Sequence, residues 1–179
     1  MHLLDSTSYD PEKAKHIHRY SVRLGLRYGH AFLTGEEAEG VAIWMPPGRS
    51  SATTWMFLRS GGLSLAKTVD PGVIDRMRRY GDYSEELHHR AITAPHWYLL
   101  SVAVDRAHQG KGFSKRLLEP ALAHFDGRGE ACYLETHNPN NVDFYENLGF
   151  EVAWIGCLPG TRTTHWSMLR QARRTAGRA

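Results

Sequence analysis

Two short stretches of this 179-residue chain concentrate residue types that can do chemistry. The first runs Val102-Ala103-Val104-Asp105-Arg106-Ala107-His108-Gln109-Gly110-Lys111-Gly112-Phe113-Ser114-Lys115-Arg116-Leu117-Leu118, an apolar strand that passes through a glycine-bearing turn into an amphipathic helix. Such a turn can cradle a phosphate. Glycines let backbone come close to an anion, and the first amides of a helix have no internal acceptor and carry the positive end of its dipole. Lys111, Lys115 and Arg116 add to the positive field. A pyrophosphate-bearing cofactor is therefore expected ahead of an inorganic ion. Two nucleotide motifs do not fit: Lys111 is followed by Gly112 where a P-loop needs Ser or Thr, and a dinucleotide fingerprint would need glycine at Lys115. The plain alternative is a tight turn with no ligand.

The second stretch is Cys132-Tyr133-Leu134-Glu135-Thr136-His137-Asn138-Pro139-Asn140-Asn141-Val142-Asp143-Phe144-Tyr145-Glu146-Asn147-Leu148-Gly149-Phe150, again a strand, a turn and a helix. Together the two resemble the GNAT superfamily of N-acetyltransferases. Gln109-Gly110-Lys111-Gly112-Phe113-Ser114 matches its Gln/Arg-x-x-Gly-x-Gly/Ala cofactor motif, with Ser114 at a position where the family has Gly or Ala. Serine is small enough to keep the approach open and could donate to a phosphate. Asn138 followed by Phe144-Tyr145-Glu146-Asn147-Leu148-Gly149-Phe150 matches the later signature. The phrases His108-Gln109-Gly110-Lys111-Gly112, Leu134-Glu135-Thr136 and Phe144-Tyr145-Glu146 look most like the puromycin N-acetyltransferase branch. The resemblance covers about residues 40 to 169.

It implies an acetyl-CoA-dependent enzyme that moves acetyl directly to an amine, most simply of a small molecule. Protein amines, hydroxyl acceptors and a CoA-binding domain without turnover are the rivals. It further implies an α/β (α+β) fold with a mixed, mostly antiparallel sheet flanked by helices. In that fold the strands at 97–104 and 131–136 splay around the cofactor. Backbone groups of Val102, Ala103 and Val104 would then hold the pantetheine arm, with an amide near Val104 facing the developing oxyanion. Gln109, Gly110, Lys111, Gly112, Phe113, Ser114 and Lys115 would hold the diphosphate, and the Asn138 amide would bond the pantetheine. Tyr145 corresponds to the family's general acid, since a phenol is protonated at neutral pH and can give its proton to a thiolate. Asn140 and Asn141 read instead as helix caps. For the base, Glu135 is the leading candidate and His137, on the same strand face if the strand continues, the second. Cys132 sits too early in its strand to be a nucleophile.

The composition fits this reading. Hydrophobic residues make up 41% and charged residues 23%, as in an ordinary globular domain. No apolar run approaches the roughly 20 residues that span a bilayer, and no signal peptide is visible, so neither a membrane partner nor export is expected and the location should be cytoplasmic. Cys132 and Cys157 are too few for a disulfide framework. Part of the net charge of +3 falls on Arg170, Arg173, Arg174 and Arg178, which read as a solvated tail and not a nucleic-acid arm. The expected division is one domain over 1–170 and a basic flexible tail over 171–179. His16 with His18, and His88 with His89, lack zinc spacing and read as surface residues; no metal is expected.

The elements that must position the site follow from pattern. Asp10-Pro11 predicts a helix cap and a helix over about 11–27. Ala31–Thr34 and Val41–Met45 read as a hairpin closed by Pro46-Pro47-Gly48. Helical patches follow at Trp55–Leu58, after Asp70-Pro71, and at Ser84–Ala91, and this insertion should shape the acceptor pocket. Strands are predicted at 97–104, 131–136, 151–155 and 163–169. In the helix after Gly112, Leu117, Leu118, Ala121, Leu122 and Phe125 should face the sheet, and Pro120 removes one backbone bond. Only about 30 residues precede the hairpin. Either Met1–Leu4 supply a first strand or the start is truncated; truncation, the favoured reading, would leave a sheet edge unpaired and favour a homodimer.

Overall fold

The computed structural model describes residues 11–35, 37–51 and 53–173. The Asp10 cap, the strand at Met1–Leu4 and tail residues 174–179 lie outside them. Six strands form one sheet: β1 (His30–Thr34), β2 (Gly40–Met45), β3 (His96–Val104), β4 (Ala131–Thr136), β5 (Glu151–Cys157) and β6 (Thr164–Arg170), in the order β1-β2-β3-β4-β6-β5. Every neighbouring pair is antiparallel except β3 with β4. The hairpin and all four later strands fall where the pattern places them, because each joins an apolar face to a turn-forming boundary.

Helices cover both faces. α1 (Pro11–Tyr28) leads into β1, and α2 (Thr54–Arg59), α3 (Gly62–Thr68) and α4 (Pro71–Ala91) fill the insertion. Two expectations need correcting here. The patches after Asp70-Pro71 and at Ser84–Ala91 are one helix, which runs without a break through Gly81, and α3 was not foreseen. Asp70 caps α4 by accepting from the Gly72 amide at 2.8 Å, with Pro71 at the first turn. α5 (Phe113–Gly127) buries Leu117, Leu118, Ala121, Leu122 and Phe125, as expected. The Phe125 ring stacks on Trp97 at 4.3 Å and meets Trp44 edge-on at 5.1 Å. α6 (Val142–Asn147) follows a 3₁₀ turn at Pro139–Asn141.

Arg170 also departs from expectation. Arg170 is 3% exposed; its guanidinium bonds both Asp126 carboxylate oxygens at 2.7 Å and the Leu148 carbonyl at 2.9 Å. The Arg173 amide donates to Asp126 as well. Arg170 is thus part of the packed domain, since a bidentate partner and a backbone carbonyl repay the burial of its charge.

Candidate active site

The site begins where the sheet divides. β3 and β4 pair only over His96–Tyr98 with Ala131–Tyr133. Across β2 and β3, Trp44 opposes Leu99 and Ile43 opposes Ser101, so Leu100 has no partner in register. A bulge at that point bends its strand and adds twist, and it falls just past the last β3–β4 pair. Beyond it β3 stays with β2, and β4 stays with β6. The gap is a cleft of about 660 Å³ lined by Leu99 to Val102 on one wall and Leu134 to Pro139 on the other, with Tyr80, Tyr98 and Tyr145 inside.

Alternation along β3 decides which backbone groups face the gap. The Asp105 amide donates to the Glu39 carbonyl of the β2 side at 2.7 Å. Two residues back, Ala103 opposite Val41 therefore also turns its amide and carbonyl to β2, while Val102 and Val104 turn theirs toward the gap. The expectation of free groups throughout 102–104 narrows to those two residues. The Val104 carbonyl already accepts from Gln109 Nε2 at 3.1 Å, which ties the motif glutamine to the strand end.

At the mouth of the gap, Gly110 and Gly112 adopt φ of +75° and +77°, the left-handed region that favours glycine. A Cβ built on either would meet nothing within 4 Å, so the space in front of this turn is open. Gly112 is the N-cap residue of α5, and the amides of Phe113, Ser114 and Lys115 begin that helix. Arg116 lies over the Phe113 ring at 4.1 Å and bonds the Lys111 carbonyl, while Lys115 pairs with Glu119 at 3.4 Å. An elongated carrier ending in a diphosphate fits this arrangement: strand-like groups along β3, then a charged turn at the end.

On the opposite wall, Glu135 is enclosed by side chains the sequence reading did not bring to it. Its carboxylate accepts from Ser84 Oγ at 2.6 Å, Tyr133 Oη at 3.0 Å and Tyr80 Oη at 3.2 Å. Burial pushes its carboxyl above the ordinary carboxylate value, and the Ser84, Tyr133 and Tyr80 hydroxyls pull it partly back. Burial and the Glu135 charge push the Tyr80 and Tyr133 phenols upward. β4 stops at Thr136, yet His137 stays beside this group: its Nε2 lies 3.0 Å from His165 Nδ1, and Tyr80 meets both rings edge-on. His165 is fully buried and bonds Ser167 Oγ at 3.1 Å; burial, then His137, lowers it to about 4. The signals that could have found these partners were the alternation of Tyr133 with Glu135 on one strand face and the four-residue step from Tyr80 to Ser84 on one helix face.

Tyr145 lies on α6 and lines the cleft at 4% exposure, with burial pushing its phenol up to about 12. Its placement follows from the helix end. Gly149, at φ +89°, returns its amide to the Glu146 carbonyl at 2.8 Å, and the Phe150 amide returns to Tyr145 at 3.1 Å, a left-handed helix stop that explains the Gly-Phe pair. The cap falls on Asn138 and not on Asn140 or Asn141. Asn138 Oδ1 caps the 3₁₀ turn by accepting from the Asn140 amide, and Asn141 makes no side-chain cap but donates to Thr136 Oγ1. Asn138 still lines the cleft.

Elsewhere, His88 is buried, against the surface reading: it contacts His96 Nε2 and stacks on Tyr133 at 4.0 Å, and burial lowers it to about 4. Cys132 is buried with its thiol pushed up to about 12, while Cys157 is exposed. Among the described residues no helix is long and apolar enough to cross a membrane, and no group of three or more metal-ligating side chains forms.

A sheet opened between two parallel strands, with a glycine turn following one of them and a carboxylate and a phenol lining the opening, is the candidate site. Residues 74–150 match the model of the acetyltransferase (GNAT) family. An uncharacterised N-acetyltransferase of Schizosaccharomyces pombe is 31% identical over 117 residues, which are 62% of this chain and 47% of that protein; the chain spans about half the length of this curated relative. The fold is similar to a crystal structure described as histone acetyltransferase HPA2 and related acetyltransferase from Corynebacterium glutamicum, with TM-score 0.61, 20% identity, and 95% of this chain and 81% of that one covered. It is also similar to the ribosomal-protein-S18-alanine N-acetyltransferase of Escherichia coli, with TM-score 0.51, 19% identity, and 98% and 94% covered. Residues 74–150 are thus similar in sequence to the GNAT acetyltransferases, and the fold is similar to that of solved acetyltransferases.

Proposed function

We propose that the protein is an acetyl-CoA-dependent N-acetyltransferase that moves acetyl directly to the primary amine of a small molecule. The observation that carries this reading is the divergence of β3 from β4, which opens a cleft lined by Glu135 and Tyr145 beside the strand that leads into the glycine turn. Acetyl-CoA, when bound, supplies an acetyl group activated as a thioester. The amides of α5's first turn and the Val102 and Val104 backbone would orient that carrier, with Lys111 and Lys115 adding charge. Glu135 takes the proton that the attacking amine nitrogen loses as its bond to the acetyl carbon forms. Tyr145 gives its phenolic proton to the sulfur that departs, and a phenol held near 12 is protonated at every working pH. One proton enters and one leaves, so the transfer balances without a covalent enzyme intermediate.

A small acceptor is favoured because Tyr80, from the insertion, lines the acceptor end of the cleft, while Ser84 in the next turn of α4 binds Glu135. The likeness to the puromycin branch points the same way. Cytoplasmic location and a homodimer, suggested by the β1 edge, complete the proposal. Thiol release from acetyl-CoA across a panel of small amines and peptides, with products read by mass, tests it. Release confined to small amines is expected. Release only with peptides would move the acceptor to proteins, and saturable cofactor binding with no release for any acceptor would leave a CoA-binding domain.

A further inference from the structure

Away from the cleft, the outer face of α1 and the turn joining α2 to α3 enclose a groove that acetyl transfer does not use. Arg19, Arg23 and Arg27 recur at four-residue steps on α1 and so share one helix face. Arg59, the last residue of α2, meets them there: Arg27 Nη1 donates to the Arg59 carbonyl at 2.7 Å. The Arg59 guanidinium lies 5.4 Å from the centre of the Trp55 ring. Arg23 Nη1 lies 3.1 Å from where a Cβ on Gly61 would stand. Two adjoining cavities of about 400 and 110 Å³ share Arg23, Ser60 and Gly61, and among the described residues no carboxylate lines either one. Guanidinium groups gathered without a counter-charge repel one another, and a bound anion relieves that repulsion.

Ser60 is a second, independent sign. The residue is 2% exposed, and its enclosed Oγ hydrogen bonds to no protein atom. A buried hydroxyl left unpaired is costly, and the arginine side chains beside it can only donate. Among the described residues nothing accepts from it, and an acceptor from outside the chain would complete the corner.

We propose that Arg23, Arg27, Arg59 and Ser60 form a binding site for a phosphate-type oxyanion, separate from the turn at Gly110–Gly112. Planar guanidinium forks match phosphate oxygens two at a time, and the Ser60 hydroxyl supplies a further donor. The phosphate belongs either to a free phosphorylated compound or to a lipid headgroup. The proposal does not rest on acetyl transfer.

Inorganic pyrophosphate titrated into the full chain, followed through the backbone amide resonances of Ser60 and Gly61, tests it separately from the α5 turn. Saturable shifts are expected at both amides. They should weaken at least about tenfold in the Arg23→Gln/Arg59→Gln pair and in Ser60→Ala, the scale of losing a charge-assisted hydrogen bond. Lys67→Gln, which removes an exposed charge from the last turn of α3, should stay within about twofold. Absent or unsaturable shifts, or an equal loss in Lys67→Gln, overturn the site. Sedimentation with phosphatidylcholine vesicles, with and without phosphatidic acid, names the source. Retention that needs phosphatidic acid and both arginines assigns the headgroup, retention that survives the paired substitution counts against the site, and pyrophosphate binding without retention assigns a free phosphorylated compound.

Discussion

On the proposed function, the cofactor and acceptor ends of the site are built on opposite principles. The cofactor end is made of backbone: Gly110, Gly112, the first amides of α5 and the β3 groups left over when β4 departs all lie within about fifteen consecutive residues. The acceptor end is made of side chains from distant segments, with Ser84 and Tyr80 reaching Glu135 across 51 and 55 positions and His165 reaching His137 across 28. A backbone cradle binds a shape common to many carriers, whereas a side-chain cage sets a proton affinity and selects an acceptor. Substitutions should therefore separate by end, with acceptor-side changes acting on turnover and cofactor-side changes on binding.

The largest separation is expected for Glu135→Gln. If the carboxylate takes the amine's proton, kcat should fall on the order of 1,000-fold, the range of a lost acid–base group, while calorimetric affinity for acetyl-CoA stays within about twofold. Equal loss of both would mean that Glu135 supports the fold of the whole cleft. Tyr145→Phe comes next, with a fall of about 100-fold in kcat and unchanged cofactor affinity; full turnover in the variant would remove the phenol from the proton path. Gly112→Leu should do the reverse. A branched side chain at φ +77° is strained by about 1–2 kcal/mol and fills the open space before the turn, so the Kd for acetyl-CoA should rise at least about tenfold. Unchanged affinity would break the distinction between the two ends.

The smallest effect is also the most specific. Ser84 is the foremost of the groups holding the Glu135 carboxyl down against the rise caused by burial. In Ser84→Ala the folded carboxyl should climb further, so more alkaline solution is needed to free the base. The acidic limb of the kcat profile should then shift to higher pH, with a loss of about threefold at neutral pH. A limb that stays in place would assign it to another group, His137 first.

That contrast also explains what could be read beforehand. The strands, the inner face of α5 and the glycine turn depend on local pattern, so Val41–Met45, Ala131–Thr136 and Leu117 through Phe125 fall where apolar spacing places them. The phenol is named from motif likeness and the carboxylate from its place at the end of β4. Their partners were not: Tyr80 reads simply as an apolar position of a helix, and only packing α4 against β4 and β6 turns it toward Glu135. The same holds for His88, an ordinary surface residue by spacing until α4 lays it on Tyr133, and for Arg170, whose partner Asp126 is 44 positions away. α3 was missed because its glycine-rich start carries no capping side chain.

A crystal structure of the protein soaked with acetyl-CoA tests the central claim most directly. The diphosphate should sit on the amides of Phe113 to Lys115, the pantetheine should run beside Val102 and Val104 in the gap left by β4, and the sulfur should lie within hydrogen-bond reach of Tyr145 Oη. A cofactor bound elsewhere, or a turn at Gly110–Gly112 that stays empty at saturating concentration, would contradict the account.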